Sequence, residues 1–146
     1  LKERIETWYR EKSGGKQVVN FNVCLLNFYE NGDQRLGWHT DREEIGRTTP
    51  IASLSLGATR TFQIRSQKDG VNDRISLSLK SGSLVIMENQ CQLEYLHSIP
   101  RETNVTEGRI NVTFRCKEEH TKGEQEHERR DDWLDKMIDG ATPSTQ

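Results

Sequence analysis

From Arg74 to Glu88 the chain reads RISLSLKSGSLVIME, and this stretch decides the fold class. Ile75, Leu77 and Leu79 alternate with Ser76, Ser78 and Lys80, the period of two that marks a half-buried strand. Lys80-Ser81-Gly82-Ser83 then turns the chain, and Ser83–Glu88 resumes as a second strand. The pattern continues outward on both sides. Ile51–Leu56, Arg60–Arg65, Tyr95–Ile99 and Arg109–Cys116 read as further short strands, and Gln17 to Tyr29 (QVVNFNVCLLNFY) is rich in β-formers. Asn31-Gly32-Asp33 is a turn signal. About eight short strands without intervening helices predict a sandwich or jelly roll. At the N-terminus, Ile5, Trp8 and Tyr9 sit at helical spacing, so residues 1–12 are expected to form a short amphipathic helix. Ser13-Gly14-Gly15 stops it, and Trp8 and Tyr9 are expected to pack it onto the strands. The fold class is therefore mainly β, a jelly roll with a short N-terminal helix and an acidic C-terminal tail.

Composition bounds the rest. The chain has 146 residues, the size of one domain. Hydrophobic residues make up 32%, so the core is modest even with the glycines added. The net charge of -2 is unevenly spread: residues 117–146 hold 5 Lys/Arg and 9 Asp/Glu, leaving residues 1–116 at +2. We read 1–116 as one domain, with 1–16 its helix and turn, and 117–146 as a charged tail. Trp133, Leu134, Met137 and Ile138 could form a short helix in an otherwise disordered tail. No apolar run approaches the roughly 20 residues of a membrane span. No secretory signal is visible. The first residue is Leu rather than Met, as in a fragment or a trimmed chain. The three cysteines are widely spaced and form no CxxC, which argues against a disulfide framework or a thiolate zinc site. A reduced, intracellular setting in nucleus or cytoplasm and a monomeric state are expected.

Three features carry chemistry. His39-Thr40-Asp41 puts an imidazole and a carboxylate on one side of an extended segment, their Cα atoms roughly 7 Å apart. Alone, this tripeptide also fits a surface His beside a solvated Asp. His97 on the later strand YLHSI adds a second imidazole, and two His with one carboxylate form the facial triad of non-haem Fe(II) oxygenases. His120 and His127, in the charged tail, read as solvated. The last strand, RINVTFR (109–115), places Arg109, Asn111, Thr113 and Arg115 on one face and its apolar residues on the other. If the polar face looks inward, its cations require anionic partners, and a dicarboxylate would supply them. Asn27 and Tyr29, at the end of an apolar run, share a face and could both donate to a carboxylate.

Asn27-x-Tyr29, His39-x-Asp41, His97 and Arg109-x-Asn111-x-Thr113-Phe114-Arg115 follow the order and rough spacing of the AlkB family of Fe(II)- and 2-oxoglutarate-dependent dioxygenases. The resemblance covers about residues 20–116. PIASLSLGATRTF (50–62) and SLVIME (83–88) resemble the branch that repairs alkylated nucleobases. The resemblance implies iron held by His39, Asp41 and His97. It implies the distal carboxylate of 2-oxoglutarate on Arg109, Asn111 and Tyr29, with Asn27 and Arg115 near its other end. O₂ is the co-substrate, and alkylated DNA or RNA is the partner, with 1-methyladenine and 3-methylcytosine as the bases. Glu43 matches a base-contacting position, and Arg42 and Arg60 are candidate phosphate contacts, with Arg35, Arg47, Arg65 and Arg101 as further candidates. Two rival readings stand beside this one: the same chemistry on a protein or a non-damage RNA mark, and a non-catalytic β-barrel binding module.

Overall fold

The computed structural model describes residues 1–41, 48–68, 70–71 and 73–117. Arg42, Glu43, Arg47 and the tail with its candidate helix lie outside the described residues. The described chain runs α1 (Lys2–Lys12), β1 (Val23–Tyr29), β2 (Leu36–His39), β3 (Ile51–Gly57), β4 (Arg60–Ser66), β5 (Ile75–Leu79), β6 (Leu84–Met87), α2 (Cys91–Glu94), β7 (Tyr95–Ile99) and β8 (Arg109–Arg115). The strands make two four-stranded sheets, ordered β1-β8-β3-β6 and β2-β7-β4-β5, with antiparallel pairing throughout. This is the expected jelly roll. Tyr29, Ile51 and Met87 from the first sheet pack on Phe62, Leu79 and Ile99 from the second, so the main core lies between the sheets. Each such side chain contributes about 1.5–3 kcal/mol on burial.

Helix α1 closes the outer face of the first sheet. Ile5 and Phe21 pack on Ala52, Val112 and Phe114 in a second core. Tyr9 is also buried, and its hydroxyl meets the side chains of Gln17 and Glu88. Trp8, expected to pack beside it, is 41% exposed instead; it lies one residue off the buried stripe of Ile5 and Tyr9. Four further apolar side chains of this outer face, Leu26, Phe28, Leu56 and Ile110, are exposed.

Three expectations need correcting. Residues 17–22 are not strand, and β1 starts only at Val23. There the Glu6 carboxylate accepts the Phe21 N–H and ties Phe21 to α1, while the Asn22 N–H donates to the Arg115 carbonyl just before the ladder begins. Strand β5 is not half-buried: Ile75 and Leu77 are exposed and only Leu79 is buried, because β5 is a sheet edge. Arg60 is not a surface contact for phosphate. Its side chain is 1% exposed and ion-pairs with Glu102 at 2.9 Å. It also donates to the carbonyls of Asn31, Gln34 and Pro100. Arg60 thus fastens the loops after β1 and β7 to β4. Gly32 permits this closure, since a Cβ there would lie 1.8 Å from the Glu102 carbonyl oxygen.

Candidate metal centre

Strand β8 carries the inverted polarity read from its sequence. Its neighbour β1 pairs with it from Arg109 to Arg115, and β3 from Arg109 to Phe114. Arg109, Asn111 and Thr113 are all buried, while Ile110 on the other face is 38% exposed. The polar face therefore looks between the sheets, where unpaired charge is costly. Two clusters form along it, at ends separated by roughly 20 Å of strand.

At the Arg115 end, His39, Asp41 and His97 converge. Strand β2 pairs with β7 so that His39 lies opposite His97. Their ring centroids are 4.2 Å apart, and Phe62 flanks His97 at 5.5 Å. One potential ligand atom from each of His39, Asp41 and His97 lies within 4.8 Å of the other two. His39 Nε2 is 3.8 Å from Asp41 Oδ1, and His97 Nε2 is 3.8 Å from Asp41 Oδ2. Adjacent ligands on one ion at about 2.1 Å each would be roughly 3 Å apart, so the cluster needs only a small contraction. His39 Nδ1 lies 2.8 Å from the Gly37 carbonyl. That contact places the proton on Nδ1 and frees Nε2 as a ligand. Burial, with His39 and Arg115 nearby, pushes His97 down to about 4 against the opposing pull of Asp41. A neutral imidazole is the form that binds metal. Arg115 Nη2 meets Asp41 Oδ1 at 3.0 Å and orients the carboxylate.

Two residues that sequence reasoning missed complete this end. Gln92, on α2, is 1% exposed, and its Oε1 accepts the Asp41 backbone N–H at 2.9 Å. Cys91 is close enough for Asp41 to raise its thiol, after burial as the larger cause.

At the other end Arg109 is 1% exposed. Its Nη2 donates to Ser55 Oγ at 2.9 Å and Asn111 Oδ1 at 2.7 Å. Ser53 Oγ donates to the same Asn111 oxygen at 3.0 Å, and Asn111 Nδ2 donates to Thr113 Oγ1 at 2.9 Å. The alternation of Ser53 and Ser55 in IASLSLG was the available signal for these partners. Arg109 Nε and Nη1 have no partner among the described residues. Burial holds the guanidinium below its ordinary value. The Tyr29 ring lies 5.3 Å from Arg109 and 5.6 Å from Arg60. Burial raises the Tyr29 hydroxyl even though both arginines pull it down, so it remains a donor. Buried, unused N–H groups beside a protonated phenol are donors that a carboxylate could accept from.

Of the other expected contacts, Asn27 is half-buried and directly opposite Asn111 in the register. Arg35 is exposed. Arg65 stacks on Trp38 at 4.5 Å, and Arg101 pairs with Asp33 at 2.8 Å on the surface.

Comparison with known proteins agrees with this geometry. A family profile described as the 2OG-Fe(II) oxygenase superfamily matches residues 2–115. The chain is 39% identical over 123 residues to the human alpha-ketoglutarate-dependent dioxygenase alkB homolog 3, covering 79% of this chain and 40% of that protein. It is 34% identical over 137 residues to the Arabidopsis thaliana DNA oxidative demethylase ALKBH2, covering 79% and 42%. The chain thus spans about two fifths of the curated relatives it matches. The solved structure of OsALKBH1 superposes with a TM-score of 0.57 at 24% identity, over 79% of this chain and 60% of that one, a likeness of fold.

Proposed function

The chain belongs to the 2OG-Fe(II) oxygenase superfamily, and we propose that it is an Fe(II)- and 2-oxoglutarate-dependent demethylase of N-alkylated nucleobases in DNA or RNA. The observation that carries the reading is one buried, polar inner face of β8 that joins a His–Asp–His cluster to an Arg109 guanidinium with unused donors. Relatives named as an alkB-type dioxygenase and a DNA oxidative demethylase support the substrate class.

The residues fit the groups that this chemistry needs. Two imidazoles and one carboxylate suit a divalent iron and leave coordination positions open. The unused N–H donors of Arg109 suit a carboxylate of a dicarboxylic acid. With O₂ and 2-oxoglutarate, bound iron would supply oxidation of an N-methyl C–H bond, 2-oxoglutarate leaving as succinate and CO₂. The N-hydroxymethyl product then breaks its C–N bond, returning a proton to nitrogen and releasing formaldehyde.

The chain's own work is placement. His39, Asp41 and His97 would hold the metal, and Arg115 would keep the Asp41 carboxylate aligned. Arg109, Asn111 and Tyr29 would fix the distal carboxylate of 2-oxoglutarate, with Asn27 and Arg115 near its other end. The apolar core between the sheets, with Phe62 against His97, excludes water and strengthens each charge contact. Glu43, two residues after Asp41, is the candidate acceptor for an exocyclic amino group of the base, and Arg42 beside it a candidate phosphate contact. The target base must be single-stranded or flipped.

The test is mass spectrometry of oligonucleotides carrying one 1-methyladenine or one 3-methylcytosine, as DNA and as RNA, with succinate measured in the same reaction. Loss of one methylene's mass that requires 2-oxoglutarate supports the proposal. Succinate with every oligonucleotide intact points to another substrate. Neither product, from iron-loaded protein, points to a non-catalytic barrel.

A further inference from the structure

We infer that Gln92 is a positioning residue for the metal site, setting the backbone of Asp41 from a different part of the chain. Strand β2 ends at His39, so Asp41 lies beyond the last residue that the β7 ladder pairs. Asp41 is nevertheless 9% exposed, and its N–H needs an acceptor. Gln92 supplies one with Oε1 at 2.9 Å across 51 residues of sequence. The amide is itself held, because its Nε2 donates to Met87 Sδ at 3.5 Å at the end of β6. The chain then runs from Gln92 through α2 into β7, which carries His97. One buried side chain therefore ties the Asp41 arm of the cluster to the His97 arm. Arg115 grips the carboxylate and Gln92 grips the backbone behind it, so the two control different freedoms of the same ligand.

Groups that orient a metal ligand typically change metal affinity by about 10–100-fold when removed. The inference rests on the iron-site reading, so its test includes a readout that needs no metal. Gln92→Met keeps length and apolar bulk but deletes the acceptor. Mn(II) binding measured by titration calorimetry on the full chain should weaken at least tenfold in Gln92→Met. Ile51→Val, which keeps the acceptor and its Met87 contact but trims the same core wall opposite Met87, should stay within about threefold. In the metal-free chain, the Asp41 amide should be protected from hydrogen exchange in wild type and exchange at least tenfold faster in the variant. If Gln92→Met does not fold, Gln92→Asn, one methylene too short to reach, takes its place. Wild-type Mn(II) affinity in a folded Gln92 variant would overturn the inference, as would equal weakening in Ile51→Val. Absence of Mn(II) binding in wild type would sink the iron-site reading instead. The exchange rates would then decide the role of Gln92 alone, equal rates overturning it.

Discussion

Replacing Arg109 with Met separates binding from stability, because the two should move in different directions. The guanidinium is 1% exposed and has two nitrogens, Nε and Nη1, without partners among the described residues. Its remaining nitrogen donates to the neutral oxygens of Ser55 and Asn111. A carboxylate placed there gains about one hydrogen bond to a charged group, worth roughly 1.5–3 kcal/mol. Its loss weakens 2-oxoglutarate binding by at least about tenfold. Stability behaves otherwise. Met relieves a desolvated charge with no carboxylate bonded to it, and such replacements are often neutral or stabilising. Asn111 Oδ1 keeps the Ser53 hydroxyl at 3.0 Å, so the partners lost are those of Ser55 and Tyr29, at about 1 kcal/mol each. Calorimetric titration of 2-oxoglutarate into Mn(II)-loaded protein measures the first effect, and urea unfolding of the metal-free chain the second. Unchanged 2-oxoglutarate affinity would refute the reasoning. So would a loss of more than about 3 kcal/mol in the metal-free chain, since the charge would then be well paid for by contacts already present.

Arg60→Met should act the opposite way. Breaking the buried pair with Glu102 should cost about 3–5 kcal/mol in urea unfolding, with oligonucleotide affinity of the folded protein unchanged; lost affinity at unchanged stability would restore Arg60 to phosphate contact. Gly32→Ala puts a Cβ 1.8 Å from the Glu102 carbonyl oxygen and should destabilise the chain by more than about 3 kcal/mol, which wild-type unfolding would contradict. Metal-free stability should depend on pH through His97, held at about 4 against 6.5 unfolded. The unfolded chain takes up this proton first, so the contribution is whole above pH 6.5 and falls as pH drops toward 4. The fall is up to about 3 kcal/mol. Urea unfolding at several pH values should show a shallower slope in His97→Gln; parallel slopes would refute the assignment.

Much of the site was legible because strands impose a strict period. RINVTFR separates charge from apolar residues by parity, and the inward face follows once both neighbours of β8 are known. His39, Asp41 and His97 needed only that two segments meet, and one register places His39 opposite His97. What stayed hidden depends on contacts that no local pattern encodes. Arg60 reads as a surface cation until four separate oxygen partners from two loops close around it. Gln92 lies in a four-residue helix too short for a period to show. Strand β2 has four residues, one of them Gly37, and its ladder is irregular, so composition does not mark it. The alternation of β5 misleads because the sequence carries no signal that no further strand will cover its edge. QVVNFN reads as strand by propensity, but the Glu6 carboxylate captures the Phe21 N–H first.

The central claim is that one inner face holds a metal and 2-oxoglutarate together. It is tested most directly by electron paramagnetic resonance of Mn(II) titrated into the metal-free chain, before and after 2-oxoglutarate. The account requires bound Mn(II) whose spectrum changes on adding 2-oxoglutarate. Binding should be lost in Asp41→Ala, and in Arg109→Met the change should be displaced to at least about tenfold higher 2-oxoglutarate. Mn(II) that stays free in wild type, or that binds equally well without Asp41, would contradict it.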